Sequence, residues 1–252
     1  MKKLLLILLC LPMIGFGQTF VPDDNFESYL EANGMGNGIS NDDYVTTTSI
    51  DIVTSLNVSS MNISDLTGIE DFTALTTLTC NWNQLTSLDV SNNTALTNLV
   101  CGENQLTSLD VSQNTALTYL GCSSNYIECL DLSTNTALTY LGCNDNLLEQ
   151  LNTRNGNFNN MNVNALNNNL TCVEVDNIGT ATNDWSFDSF ATLTTNCNYT
   201  NPCATVSAIQ EHTTNKELLK VTDLLGRETK QKNQTLFYIY NDGTVEKKII
   251  IK

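Results

Sequence analysis

The chain has 252 residues and a formal charge of −16, unevenly placed: residues 18 to 215 hold 22 acids against one base, Arg154, while residues 216 to 252 hold 8 bases against 5 acids. The acidic body lacks the basic face that phosphate binding requires, which argues against nucleic acid as a partner, and it repels anionic membrane surfaces. A single histidine, His212, and the lack of any phosphate loop, nucleophile elbow or zinc signature leave no catalytic constellation, so a binding role is expected and an enzyme is not.

Met1-Lys2-Lys3, the apolar run Leu4 to Ile14 and the exit Gly15-Phe16-Gly17-Gln18 have the order of a secretory signal peptide, assigned to residues 1–17. The run is shorter than the ~20 apolar residues of a membrane-spanning helix, and no later stretch approaches that length. Cys10 follows Ile7, Leu8 and Leu9, where lipid attachment needs small residues, so it reads as part of the apolar run. Residues 18–52 are assigned to an N-terminal cap. There Phe26, Tyr29 and Leu30 follow Pro22-Asp23-Asp24-Asn25 at helical spacing, predicting a short amphipathic helix that ends near Gly34 and covers the first coil.

Residues 53–176 repeat with a period of 21. Leu75 to Ala95 reads LTTLTCNWNQLTSLDVSNNTA, Leu96 to Ala116 reads LTNLVCGENQLTSLDVSQNTA, and Leu117 to Ala137 reads LTYLGCSSNYIECLDLSTNTA. A fourth unit begins at Leu138, an irregular one follows around Met161 to Val175, and Val53 to Ala74 precedes them with 22 residues. In each unit a Leu, a second Leu three later and a Cys two beyond that predict a strand whose inward side chains are spaced by two. Leu85, Leu106, Ile127 and Leu148, then Leu88, Leu109, Leu130 and Leu151, carry the apolar interior around the far side of the coil. One coil cannot bury its own apolar edge, so neighbours must stack. Asn83, Asn104, Asn125 and Asn146 fall where the chain leaves the strand, as a structural ladder whose amides satisfy turn groups.

The unit L-x-x-L-x-C-x-x-N-x-L-x-x-L resembles the leucine-rich repeat, with Cys in place of the third Leu. The resemblance covers about residues 50 to 175. It implies a β-rich solenoid, curved, with one parallel sheet on its concave side, the surface on which such proteins bind partners.

Cys80, Cys101, Cys122 and Cys143 stand one per coil, ~4.8 Å apart along stacked strands. That is beyond the ~3.8 Å between Cβ atoms of a disulfide, and a linear row cannot surround zinc, so buried free thiols are expected and no metal centre. Asp89, Asp110 and Asp131 also stack. They are expected to accept N–H groups of the turns at Ser91, Ser112 and Ser133; calcium, which favours hard oxygen ligands, is the alternative, and no other cofactor is implied. Residues 177–206 read as a C-terminal cap and linker. Cys172 and Cys197 bracket a non-repeating segment with Trp185, Phe187 and Phe190 and are expected to form a disulfide, whereas Cys129 and Cys203 have no obvious partner.

Between the inward strand positions lie residues that must face solvent. Trp82, Asn98, Glu103, Tyr119, Tyr140, Asn144 and Asp145 combine aromatic faces, amides and acids on the concave side, and form the candidate site for a protein or glycan ligand. Stacked Tyr and Thr also stabilise exposed strands without binding anything, which leaves a spacing or coating component as the competing role.

From residue 207 the repeat stops and bases appear. Leu219 to Thr222, Leu236 to Tyr240 and Val245 to Ile251 predict strands, with Asn241-Asp242-Gly243 as a turn. Asp223-Leu224-Leu225-Gly226-Arg227, Phe237-Tyr238-Ile239-Tyr240 and Lys247-Lys248-Ile249-Ile250-Ile251-Lys252 resemble the C-terminal sorting domain of type IX secretion substrates, without the Pro-rich opening of longer members. That resemblance assigns Asp223, Gly226, Arg227, Tyr238, Lys247 and Lys248 to a sorting signal read by the secretion machinery. It implies a protein secreted from, or displayed on the outer membrane of, a Gram-negative bacterium.

Overall fold

The computed structural model describes residues 17–157, 160–178, 185–199, 203, 218–222, 235–240 and 245–249. The signal-peptide assignment, apart from Gly17, and the positions Asp223, Gly226 and Arg227 lie outside the described residues. Two compact units divide the chain, Met1–Thr205 and Val206–Lys252.

The first unit opens with strand β1 (Gln18–Phe20), helix α1 (Asp24–Ala32), strand β2 (Tyr44–Thr46), antiparallel to β1, and the helical turn α2 (Thr47–Ile50). Asp23 starts α1 because its Oδ1 accepts the N–H groups of Asn25 and Phe26, both at 3.0 Å, which the first helical turn would otherwise leave unpaired. Its Oδ2 accepts from the Ser64 N–H at 2.8 Å and the Ser64 hydroxyl at 2.9 Å, tying the helix start to the loop ahead of the first full repeat. Burial pushes the Asp23 carboxyl up, but hydrogen bonds from Ser64, Phe26 and Asp65 outweigh it and hold the group below the ordinary range. Phe26 stacks on Phe72, with ring centroids 6.3 Å apart, and Leu30 is buried in the same apolar core.

Seven parallel strands form the main sheet. They are β3 (Ser55–Asn57), β4 (Thr77–Thr79), β5 (Asn98–Val100), β6 (Tyr119–Gly121), β8 (Tyr140–Gly142), β10 (Asn162–Ala165) and β12 (Trp185–Phe187). Near-equal repeat lengths, 21 or 22 residues, set the register: Leu56, Leu78, Leu99, Leu120, Leu141 and Val163 pair strand by strand. All six are buried, as are Cys80, Cys101, Cys122 and Cys143, so each coil closes its neighbour's apolar interior. Those four cysteines are free, and burial pushes the Cys80 and Cys122 thiols up to about 12, so they stay neutral and behave as small apolar side chains.

The far side departs from the expectation of one parallel sheet. There β7 (Cys129–Asp131), β9 (Gln150–Asn152), β11 (Cys172–Glu174) and β13 (Thr192–Thr194) form a second parallel sheet, while the equivalent segments at Leu88 and Leu109 are not strands. Both disulfides attach to it. Cys172, on β11, is bonded to Cys197 with Cα atoms 5.9 Å apart. Cys129, on β7, is bonded to Cys203 with Cα atoms 5.4 Å apart, which supplies the partners that sequence reasoning did not find.

Polar ladders run with the apolar ones. Asn83, Asn104, Asn125 and Asn146 each donate to carbonyls of their own and the preceding coil. Their Oδ1 atoms accept backbone N–H groups of the preceding coil: those of Met61 and Ile63, Leu85, Leu106, and Ile127. A second ladder, Asn93, Asn114 and Asn135, is fully buried and donates to paired carbonyls on the opposite edge, but its three Oδ1 atoms have no hydrogen-bond partner. Asp89, Asp110 and Asp131 accept the N–H groups of Ser91, Ser112 and Ser133, each at 2.9 Å, the turn geometry expected of them.

In the second unit, β14 (Leu218–Thr222), β15 (Thr235–Tyr240) and β16 (Val245–Ile249) form an antiparallel sheet in chain order. Each starts within one residue of its predicted position. Tyr238 lies on β15 and Lys247 and Lys248 on β16, with Phe237 opposite Lys247. Among the described residues no helix is long and apolar enough to cross a membrane.

Candidate functional site

The period-two rule sends the middle residue of each strand inward and its neighbours outward. On the outer face of the seven-stranded sheet Asn98, Tyr119 and Tyr140 therefore stand side by side on β5, β6 and β8. The two tyrosine rings are 4.5 Å apart and 9° from parallel, close to the spacing of the strands that carry them. Room for this comes from the glycine two residues on. A Cβ on Gly142 would lie 3.3 Å from the Tyr140 ring and one on Gly121 3.4 Å from the Tyr119 ring, so each ring leans along its own strand over bare backbone. Partial burial raises the Tyr119 hydroxyl above its ordinary range, as does Tyr140 beside it, which keeps the phenol neutral and able to donate.

Just beyond the stack the chain leaves the sheet through a column of residues in the left-handed conformation: Ser60, Trp82, Glu103, Ser124, Asp145 and Asn167, with φ between 52° and 59°. Asn is at ease there, whereas Trp is a bulky residue in a region that costs L-residues roughly 1–2 kcal/mol. Trp82 is also 60% exposed, so packing does not explain its presence. The sequence identified Trp82, Glu103 and Asp145 as outward-facing, but not the strained backbone beneath them.

Asn144 and Asp145 belong to a connected polar ridge. The Asn144 Oδ1 accepts from the Ser123 hydroxyl at 2.7 Å and the Asn164 amide at 3.2 Å. Asp145 accepts from the Asn167 amide at 2.7 Å and from the Asn144 amide, and these two bonds hold its carboxyl below the ordinary range. These two bonds fix the orientation of the carboxylate. Tyr126 and Leu147, adjacent in one column at the same rim, are 53% and 42% exposed and add apolar surface that sequence reasoning missed. Their signal was available: both replace the glutamine found at positions 84 and 105.

The face therefore presents a preformed aromatic stack, an oriented amide and acid ridge and a strained, solvent-facing indole. Among the described residues, side chains from at least four coils contribute to it.

No family model matches the chain. Internalin J of Listeria monocytogenes serotype 4b (strain F2365) is 39% identical over 72 residues, which are 29% of this chain and 8% of the relative. The solved functional domain of InlJ from Listeria monocytogenes, described as including a cysteine ladder, is 35% identical; the match covers 71% of this chain and 39% of that one, with a TM-score of 0.59. An internalin (InlF) from Listeria monocytogenes strain 4b F2365 matches 70% of this chain and 57% of its own at 21% identity and a TM-score of 0.53, a likeness of fold alone. The chain thus spans less than two thirds of the length of each of these relatives. With the stacked coils, they establish the fold as a leucine-rich-repeat solenoid, and the column from Cys80 to Cys143 gives it a cysteine ladder of its own.

Proposed function

We propose that this is an exported leucine-rich-repeat protein that binds a protein partner, in adhesion or recognition, through the outer face of its seven-stranded sheet. Trp82 carries the proposal. A large apolar side chain held exposed on strained backbone costs stability twice, and strain of this kind collects at functional positions. Trp and Tyr anchors also dominate the energies of protein interfaces, and the Tyr119–Tyr140 stack stands on the same face. Two disulfides fit an oxidising compartment outside the cytoplasm. A glycan is the second reading, supported by the ridge of Asn144 and Asp145 beside aromatic rings, which could orient sugar hydroxyls next to a stacking surface.

Affinity capture and glycan arrays on the mature chain test this reading against two variants. Trp82→Asn is expected to raise the unfolding free energy by about 1 kcal/mol, because Asn tolerates the left-handed backbone. It should nevertheless weaken binding at least tenfold, as should Tyr119→Ala with Tyr140→Ala. Full affinity in both variants rejects this face. Failure to capture a specific ligand favours the spacing or coating role.

The tail from residue 207 to 252 acts, in this reading, as the type IX sorting signal, with residues 1–17 directing passage across the inner membrane to a Gram-negative cell surface. Its support is the resemblance of Asp223, Gly226, Arg227, Tyr238, Lys247 and Lys248 to that signal and the change of charge where the solenoid ends. Deletion of residues 216 to 252 is expected to leave the protein in the periplasm; surface display of the truncated chain would refute the assignment.

A further inference from the structure

We propose that the N-terminal segment holds one hard divalent cation of the calcium class, between α1 and the loop that precedes β2. One carboxylate oxygen from each of Asp24, Glu27 and Asp43 lies within 4.8 Å of the other two. Asp24 and Glu27 are three residues apart on α1, so they share a face of the helix. Asp43 is brought to them by the chain's return into β2. Its φ is 63°, and its carbonyl accepts the Val21 N–H at 2.8 Å, which fixes that stretch beside the start of the helix.

Acidic clusters on a protein surface are commonplace and need no ligand. Glu27 makes this one different. It is fully buried, between the core residues Phe26 and Leu30 in the helix, and its Oε2 has no hydrogen-bond partner, while Oε1 accepts the Asp42 N–H at 3.2 Å. An ionised carboxylate withdrawn from water costs several kcal/mol unless a counter-charge or a full set of hydrogen bonds offsets it. Among the described residues of the first unit the only base is Arg154, which follows β9, far along the solenoid. The neighbouring acids add to the burden, since three carboxylates at this distance repel one another. A cation from solution removes both costs together.

The donor set selects its class. Three carboxylates without imidazole or thiol suit calcium and not zinc, which favours nitrogen and sulfur ligands. Calcium also accepts irregular coordination completed by water, and Asp24 is exposed, so one side of the cluster is open to solvent. Magnesium demands a near-octahedral shell and gives up its water reluctantly, which disfavours it beside a buried Glu27. The loop is already shaped without an ion: the Glu31 carboxylate accepts the N–H groups of Asn37 and Gly38, and Asp42 accepts from the Asn37 amide and the Tyr44 N–H. Cation binding therefore completes a formed site and locks α1 and its buried aromatic face onto the first coil. The site is separate from the Asp89, Asp110 and Asp131 row, where each carboxylate already accepts a turn N–H.

Calcium chloride titrated into metal-free mature chain at physiological salt tests the site, with isothermal calorimetry and thermal melts read in parallel. The wild type should show one saturable site and a rise in Tm. Glu27→Gln should lose at least tenfold in affinity together with the Tm rise, yet be at least as stable as the wild type without calcium, because it buries no charge. Asp24→Asn, at an exposed position where folding is not at risk, should lose affinity to the same degree. Asp89→Asn with Asp110→Asn should leave that site unchanged, which separates it from loose association with the acidic surface. No saturable binding to the wild type overturns the proposal, and so does affinity within tenfold of wild type in both Glu27→Gln and Asp24→Asn.

Discussion

Removing both ends of the Cys129–Cys203 bridge, as Cys129→Ser with Cys203→Ser, is expected to lower the unfolding free energy by about 4 kcal/mol in oxidising buffer. The bond closes a loop with a sequence separation of 74, and the entropy it removes from the unfolded chain grows with loop length. Replacing Cys172 and Cys197 in the same way closes a shorter loop, of separation 25, and should cost about 1 kcal/mol less. Both pairs also anchor strands of the second sheet, β7 and β11, so the losses should appear first as hydrogen exchange at Leu130 and Val173, with protection at Leu78 and Leu99 kept. Denaturant unfolding of the two variants gives the order. A larger loss for the shorter loop would mean that native contacts, and not the unfolded chain, set the effect.

Asn125→Ala should cost about 3 kcal/mol, and more than Asn114→Ala. Asn125 donates to the carbonyls of Cys101 and Cys122, both at 3.1 Å, and accepts the Leu106 N–H at 2.9 Å, all of them buried. Alanine leaves these groups without partners, each worth about 1–3 kcal/mol when buried and unsatisfied, only part of which relaxation or an entering water recovers. Asn114 donates to the carbonyls of Val90 and Asn93, both at 2.9 Å, but its own Oδ1 is already unpartnered, so alanine removes a buried orphan along with two bonds. The difference should be about 1 kcal/mol. Equal losses in urea titrations would show that the two ladders are energetically alike and that the orphaned oxygens carry no penalty.

The contrast between these ladders marks how far the sequence could be read. Most of what recurs every 21 residues is legible, because near-identical coils must stack in register and each column inherits one environment. The inward leucines, the buried thiols, the Asn83 to Asn146 ladder and the turn-accepting aspartates all follow from that. The Asn93, Asn114 and Asn135 column was equally periodic, and its burial was missed because it lies in the connecting segment, where polar residues ordinarily face solvent. Departures from the period carried information too. Cys129 replaces the serine found at positions 87 and 108, an outward position, and so was poised to bond outside its own coil.

By itself the sequence determined a stacked solenoid with a parallel sheet, the side that the repeated leucines, cysteines and strand residues face, the helix at Phe26 and the disulfide of Cys172 with Cys197. Tertiary structure alone decided what occurs once: the partner of Cys129, the second sheet, the stacking of Tyr119 on Tyr140, the strain under Trp82 and the burial of Glu27 beside Asp24 and Asp43. The physical reason is that a repeat encodes its nearest neighbours many times over. Contacts between distant or unrepeated segments depend on where a finished chain returns, which no single column records.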